Sequence, residues 1–272
     1  MPELPEVETI ARYLREGRPG SAAALPGLRI EGVHVLWERT LAQPTPDALE
    51  KCLPGLTFTT VDRRAKFLQL HLSEGVLLAH LRMSGDLFVQ PQTDPLPAHA
   101  RFWLELSRGQ RLVFDDARKF GRIWWTQTPA DVLGNLGPEP LGAEFTPEWL
   151  ISALHTHRRQ LKPLLLDQSF LAGLGNIYTD EALFLAGLHP NRLSIDVTPI
   201  EAEHLHHAIQ TVLREGIARN GASIDWAYRG GDFQNHFRVY QQTGKACPVC
   251  GTPIQRVVVG QRGTHFCPHC QH

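Results

Sequence analysis

The sequence predicts an α+β protein built in several parts: an N-terminal helix, a run of short antiparallel strands, a helical region, and a small metal-held hairpin at the end. Three observations carry this. Apolar residues recur with helical spacing at the start, and further helix-opening patterns follow residue 146. Between about residues 28 and 126 they alternate with period two. Four of the five cysteines fall within the last 26 residues, spaced as two CxxC knuckles.

The first helix follows from Val7, Ile10, Ala11 and Leu14, which form one apolar stripe. Pro5 suits its first turn, Glu6 and Glu8 complement the positive end of its dipole, and Gly17 ends it. Residues 2–4 are then a short lead anchored against a packed helix. The strand region begins with Gly27–Val35 and continues through Lys66–Leu72 and Phe102–Leu106, all alternating. Ser73-Glu74-Gly75, Ser84-Gly85-Asp86 and Ser107-Arg108-Gly109 supply turns, so an antiparallel sandwich or barrel is expected. Cys52, beside Leu53 and Pro54, reads as a small buried hydrophobe.

Residues 127–146 are rich in Pro and Gly and read as a linker. Thr146-Pro147-Glu148 and Thr198-Pro199-Ile200-Glu201 each open a helix with Thr at the cap and Pro at the first position. Between them, Leu171–Asn176 is a glycine-rich turn entering a helix at Ile177, with Asn176 as its cap. The free N–H groups of such a helix start suit an anion.

Cys247-x2-Cys250-x16-Cys267-x2-Cys270 places four thiolates for one tetrahedral zinc ion. The site is closed, hence structural, and His269 is surplus to it. Val257–Val259 and Thr264–Phe266 read as the hairpin strands, turning at Gln261-Arg262-Gly263. Arg262 at the tip is either solvated or a phosphate clamp.

The totals set limits. The 272 residues carry 42% hydrophobic and 20% charged side chains, as an ordinary globular protein of about two domains does. No apolar run approaches the roughly 18 residues of a membrane span, and acidic residues at the start argue against a secretion signal, so a cytoplasmic protein is expected. The net charge of −1 is no mark of a simple basic nucleic-acid binder. Its distribution is uneven, with +3 over residues 221–272 and basic clusters at 63–66, 118–122 and 158–162.

The N-terminus carries the remaining chemistry. Loss of Met1 would expose Pro2 as a secondary amine. An α-amino group has a pKa of about 7.7–8.0 against about 10.4 for lysine, so its unprotonated fraction at neutral pH is far larger. Such an amine condenses with an aldehyde-like carbon to an iminium ion, an electron sink. Glu3 beside it can shuttle protons.

Met1–Thr9 resembles the start of the bacterial formamidopyrimidine-DNA glycosylases, also called 8-oxoguanine DNA glycosylases. The likeness recurs in Arg63–Lys66, His80–Gly85, Phe114–Gly121, Gly173–Tyr178 and Gly263–Pro268. The resemblance implies a β-sandwich with an N-terminal helix over residues 2–126, a linker at 127–146, a helix–two-turn–helix domain with a base-covering loop over 147–236, and a zinc finger over 237–272. It implies a monomeric enzyme of base-excision repair that removes oxidised purines from duplex DNA and then cleaves the abasic strand. By motif match, Pro2 is the nucleophile, Glu3 the acid, and Lys66 assists the first elimination. Met83, Arg118 and Phe120 fill the void left by the everted base. His99, Arg158, Lys162, Asn176 and Arg262 contact phosphates, and Arg262 also assists the second elimination.

Two departures from the family pattern stand out. Arg82 occupies a position where glycine is common, and Ala222–Trp226 differs from the usual loop start, so base-specific contacts do not carry over. Three alternatives remain: an endonuclease VIII-like enzyme acting on oxidised pyrimidines, a zinc-ribbon DNA-binding protein without catalysis, and a small-molecule enzyme using an N-terminal proline.

Overall fold

The computed structural model describes residues 1–18, 23–223 and 230–272. The chain forms two compact units, Met1–Gly134 with the described part of Ala222–Gly231, and Asn135–Gly221 with Asp232–His272. The middle of the expected base-covering loop, residues 224–229, lies outside the described residues.

In the first unit, α1 spans Leu4–Glu16. Glu3 is its N-cap and forms a reciprocal capping box with Glu6, so the free lead is shorter than the sequence suggests. Gly17, at φ 82°, ends the helix, and its N–H donates to the Tyr13 carbonyl. The stripe Val7, Ile10, Ala11 and Leu14 is buried as expected.

The strands that follow are β1 (Ile30–Val35), β2 (Leu41–Gln43), β3 (Phe58–Arg64), β4 (Phe67–Leu72), β5 (Val76–His80), β6 (Gly85–Pro91), β7 (Ala100–Leu106), β8 (Gln110–Asp116) and β9 (Arg122–Thr126). They build two sheets, ordered β1-β7-β8-β6 and β2-β9-β5-β4-β3. Residues of both sheets and of α1 share one core that includes Leu70, Leu104, Phe102 and Phe114. The expectation of a sandwich behind an N-terminal helix holds.

Two features were not anticipated. β2 pairs with β9 in parallel, and a helix, α2 (Pro46–Cys52), interrupts the strands. Three residues are too few for alternation to register. The helix did announce itself, since Thr45-Pro46 repeats the cap-and-proline pattern of Thr146-Pro147. Cys52 at its end is exposed, contrary to expectation, because α2 turns that position outward from the core that Leu49 enters. After β9 comes one short helix, α3 (Ala130–Leu133), inside the expected linker.

The second unit holds α4 (Pro147–His155), α5 (Leu161–Leu165), α6 (Asn176–Leu185) and α7 (Pro199–Ala218). Thr146 and Thr198 cap α4 and α7, accepting the Trp149 and Glu201 N–H groups. Gly216 lets α7 close on α6, since a Cβ there would lie 2.5 Å from the Tyr178 ring. Glu181 on α6 accepts the N–H groups of Arg238, Val239 and Tyr240, holding the chain that leads to the cysteines.

The terminal hairpin pairs β10 (Gln255–Val259) with β11 (Arg262–Phe266). Val259 faces Arg262, so the turn is Gly260-Gln261 and not residues 261–263. Both turn residues have positive φ (54° and 63°), the form that matches hairpin twist. Arg262 therefore opens a strand, one position past the tip. Among the described residues no helix is long and apolar enough to cross a membrane.

Candidate active site and metal centre

The N-terminal dipeptide is held from its C-terminal side. Pro2 and Glu3 are buried, and the Glu3 N–H donates to Glu6 Oε2 at 2.8 Å. The other oxygen of Glu6 accepts the Ala222 N–H at 2.7 Å. A buried carboxylate thus joins the start of α1 to residue 222. Sequence reading used Glu6 only as a dipole partner; the Glu-x-x-Glu spacing of positions 3 and 6 was the available signal for more.

Lys66 stands on an element packed against α1. It occupies the two-residue turn between β3 and β4, not a strand, following Ala65 at φ 53°. Only 5% of it is exposed. Glu8 of α1 binds Arg63 of β3 at 2.9 Å, and Arg15 donates to the Val61 carbonyl, pinning helix to hairpin. His80 ends β5 opposite Phe67, and its ring nitrogen Nδ1 accepts the Arg82 N–H at 3.0 Å. Burial, with the charges of Arg82 and Lys66, pushes the His80 pKa down to about 3, so the imidazole stays neutral.

Met83 lies on one loop of the first unit, and Arg118 and Phe120 lie on another that is hydrogen-bonded to it through Ser84. Phe120 is 50% exposed, and the Arg118 guanidinium lies 5.3 Å from its ring centroid. Asp116, fully buried, bonds to both loops through Ser84, Arg118 and Gly121. His99 is exposed nearby, beside Arg101.

A second group gathers in the other unit around the Gly263 carbonyl. Asn176 Nδ2 and Lys162 Nζ both donate to it at 3.0 Å. Lys162 also binds Asp180 Oδ1 at 2.6 Å, both side chains being fully buried. Asp180 Oδ2 accepts the His265 N–H at 2.9 Å. Two expectations need correction here. Asn176 is the first residue of α6, after the N-cap Gly175, and its side chain serves the hairpin instead of capping the helix. Lys162 is no surface cation: its ammonium is spent on Asp180 and Gly263, because charge in a dry interior demands a paired partner. Arg158 and Arg262 are exposed, as a phosphate contact requires.

The four Sγ atoms of Cys247, Cys250, Cys267 and Cys270 lie within 4.8 Å of one another. Cys250–Cys267 and Cys247–Cys270 are 3.5 and 3.9 Å apart. Zinc–sulfur bonds of about 2.3 Å set tetrahedral sulfur–sulfur edges at roughly 3.8 Å, so this cage fits one structural zinc ion. Backbone N–H groups of Val249 and Cys270 point at Cys247 and Cys267 sulfurs, as thiolate ligands favour.

Sequence profiles of known families cover most of the chain. The formamidopyrimidine-DNA glycosylase N-terminal domain matches residues 1–123, the formamidopyrimidine-DNA glycosylase H2TH domain residues 136–227, and the zinc finger found in FPG and IleRS residues 244–272. Formamidopyrimidine-DNA glycosylase of Chloroflexus aurantiacus is 45% identical, with all of this chain and 98% of that protein covered. The enzyme of Symbiobacterium thermophilum is 42% identical, with 100% and 89% covered. A solved structure of MutM with carbocyclic 8-oxo-G containing DNA superposes with TM-score 0.90 at 34% identity over the whole of both chains. A Lactococcus lactis FPG mutant bound to Fapy-dG containing DNA gives 0.91 at 34%, again over both whole chains.

Proposed function

Since the chain belongs to the formamidopyrimidine-DNA glycosylase family, and is thereby a DNA glycosylase with abasic-site lyase activity, we propose that it excises oxidised purines from duplex DNA through an imine on Pro2. Family relatives solved with 8-oxo-G and Fapy-dG containing DNA support the purine class.

Once Met1 is gone, the Pro2 nitrogen attacks C1′ of the damaged nucleotide and the bond from C1′ to the base breaks. Glu3 donates a proton to the ring oxygen, the sugar opens, and the nitrogen lone pair closes an iminium ion. That ion acidifies the C2′ proton; its removal expels the 3′ phosphate, and a second elimination expels the 5′ phosphate. Lys66 on its buried turn serves the first elimination and Arg262 on β11 the second. Water then releases the sugar fragment and restores the amine.

The observation that carries this reading is the mount of the dipeptide. A nucleophilic amine gains most from fixed orientation, and Glu6 fixes Glu3 by its backbone N–H while burial confines Pro2. Eversion of the base leaves a void that Met83, Arg118 and Phe120 suit, two wedges and one hydrogen-bonding cation. Arg158, His99 and Arg262 hold the backbone phosphates directly. Lys162 acts at one remove, through the Gly263 carbonyl next to Arg262. The protein works as a monomer on DNA in the cytoplasm.

Borohydride reduction with damaged duplex tests the claim. A covalent adduct is expected, lost in Pro2→Gly or when Met1 is retained. An adduct mapped by peptide mass analysis to a residue other than the N-terminal one would overturn the nucleophile. Incision of 8-oxoguanine opposite C, faster than of thymine glycol opposite A, is expected; the reverse order would move the enzyme to the pyrimidine class.

A further inference from the structure

Asp116 at the end of β8 is a fully buried carboxylate that the chemistry at Pro2 does not use. Its Oδ1 accepts the Ser84 hydroxyl and the Arg118 N–H (3.2 Å), and its Oδ2 accepts the Gly121 N–H at 2.7 Å. Ser84 Oγ in turn accepts the Arg118 N–H at 3.2 Å. The Asp116 backbone N–H donates to the His99 carbonyl at 2.9 Å, and its carbonyl accepts Arg101 Nε at 2.8 Å. One residue therefore touches the chain beside Met83, at Arg118, beside Phe120 and at His99.

Among the described residues no cation pairs with this carboxylate; its side-chain partners are neutral N–H and O–H groups. Charge-assisted bonds to neutral donors fix direction strongly. Gly121 is required for the fit, since a Cβ there would run into the Phe114 ring. Each loop also holds one non-glycine residue at positive φ, Arg82 at 55° and Lys119 at 62°. Such positions persist where surrounding contacts over-determine them. Lys119 is further held over the Trp37 ring at 4.2 Å.

We propose that Asp116 is a positioning residue that locks the Met83 turn and the Arg118–Phe120 loop into one wedge, so that both enter the duplex together; this rests on the void-filling reading above. Two independent loops would each lose conformational freedom on insertion, whereas a pre-locked pair loses it once, on folding. The link through Ser84 is the part that joins the two loops. The link through Gly121 shapes the second loop alone.

The test compares borohydride trapping on two substrates: a duplex with a base-paired lesion, and a single-stranded oligonucleotide bearing an abasic site. The second already exposes its aldehyde and leaves no void. Ser84→Ala and Asp116→Asn should trap the single strand at the wild-type rate and the lesion duplex roughly tenfold more slowly, about the weight of one hydrogen bond to a charged group. Asp116→Ala should lose more on the duplex. Ser84→Ala, at a half-buried turn, keeps the test open if Asp116→Ala fails to fold. Equal loss on both substrates, or no loss on the duplex, would overturn the proposal. A wild type that traps neither substrate overturns the glycosylase and lyase reading itself, and this proposal with it.

Discussion

Glu6 Oε1 accepts the Ala222 N–H at 2.7 Å, a bond across 216 positions of sequence within one compact unit. The same carboxylate accepts the Glu3 N–H through its second oxygen. One side chain therefore fixes both the start of α1 and the residue that opens the expected base-covering loop.

Glu6→Ala strands two buried N–H groups. The loss should be about 2–6 kcal/mol, at 1–3 kcal/mol for each unsatisfied donor. Glu6→Gln keeps one acceptor and should lose less. Urea unfolding measures the stability, and the adduct rate at Pro2 should fall with it. An Ala variant as stable as wild type would remove Glu6 from the mount.

His80 predicts a pH dependence. Its folded pKa of about 3 lies below the unfolded value near 6.5, so at acid pH the unfolded chain binds a proton that the native state refuses. The stabilising effect of this neutral ring is present above pH 6.5 and is lost as pH falls from there towards 3. Between pH 7 and 5 the loss is about 2 kcal/mol. Asp86 works in the opposite sense, burial pushing its carboxyl up to about 6, so the clean measure is wild type minus His80→Gln. The stability advantage of wild type over the variant should shrink by about 2 kcal/mol between pH 7 and pH 5. Parallel pH curves would show that His80 titrates normally.

The buried pair of Lys162 and Asp180 makes a third prediction. Lys162→Met or Asp180→Leu alone leaves an uncompensated charge in a dry interior and should cost about 3–5 kcal/mol. The double variant should recover part of that, giving a favourable coupling in a double-mutant cycle on urea unfolding. Additive losses would mean that Gly263 and His265, not the ion pair, dominate the cluster.

Zinc removal should act on one unit only. The four cysteines belong to the unit that carries β10 and β11, and the amine belongs to the other. Chelation should raise amide exchange in residues 245–270 and weaken binding to damaged duplex, with amide exchange in the sandwich unchanged. At saturating DNA the adduct at Pro2 should still form. A metal-free protein that stays folded and binds duplex normally would exclude Arg262 as a clamp.

The sandwich was legible because alternation reports burial on one face, and β7, with its regular buried and half-buried alternation, is the clean example. β5 was not legible as alternation, since Val76–His80 is buried on every residue as the central strand of its sheet. The turn at Gly260-Gln261 was misplaced by a residue because glycine at 263 suggested a turn there. That glycine instead makes room for the Arg256 guanidinium across the hairpin, where a Cβ would lie 2.8 Å from it.

Sequence alone determined the helical and the strand periods, the capped helix starts, the zinc knuckles and the unusual amine at position 2. Each is set by neighbours within a few residues, where spacing alone fixes geometry. Tertiary structure decided which polar groups join. Asp116, Asp180 and Glu6 are ordinary acids in the sequence, yet each is buried and binds a donor from a distant segment. A buried carboxylate must find several hydrogen bonds, and only the folded chain brings those donors within reach.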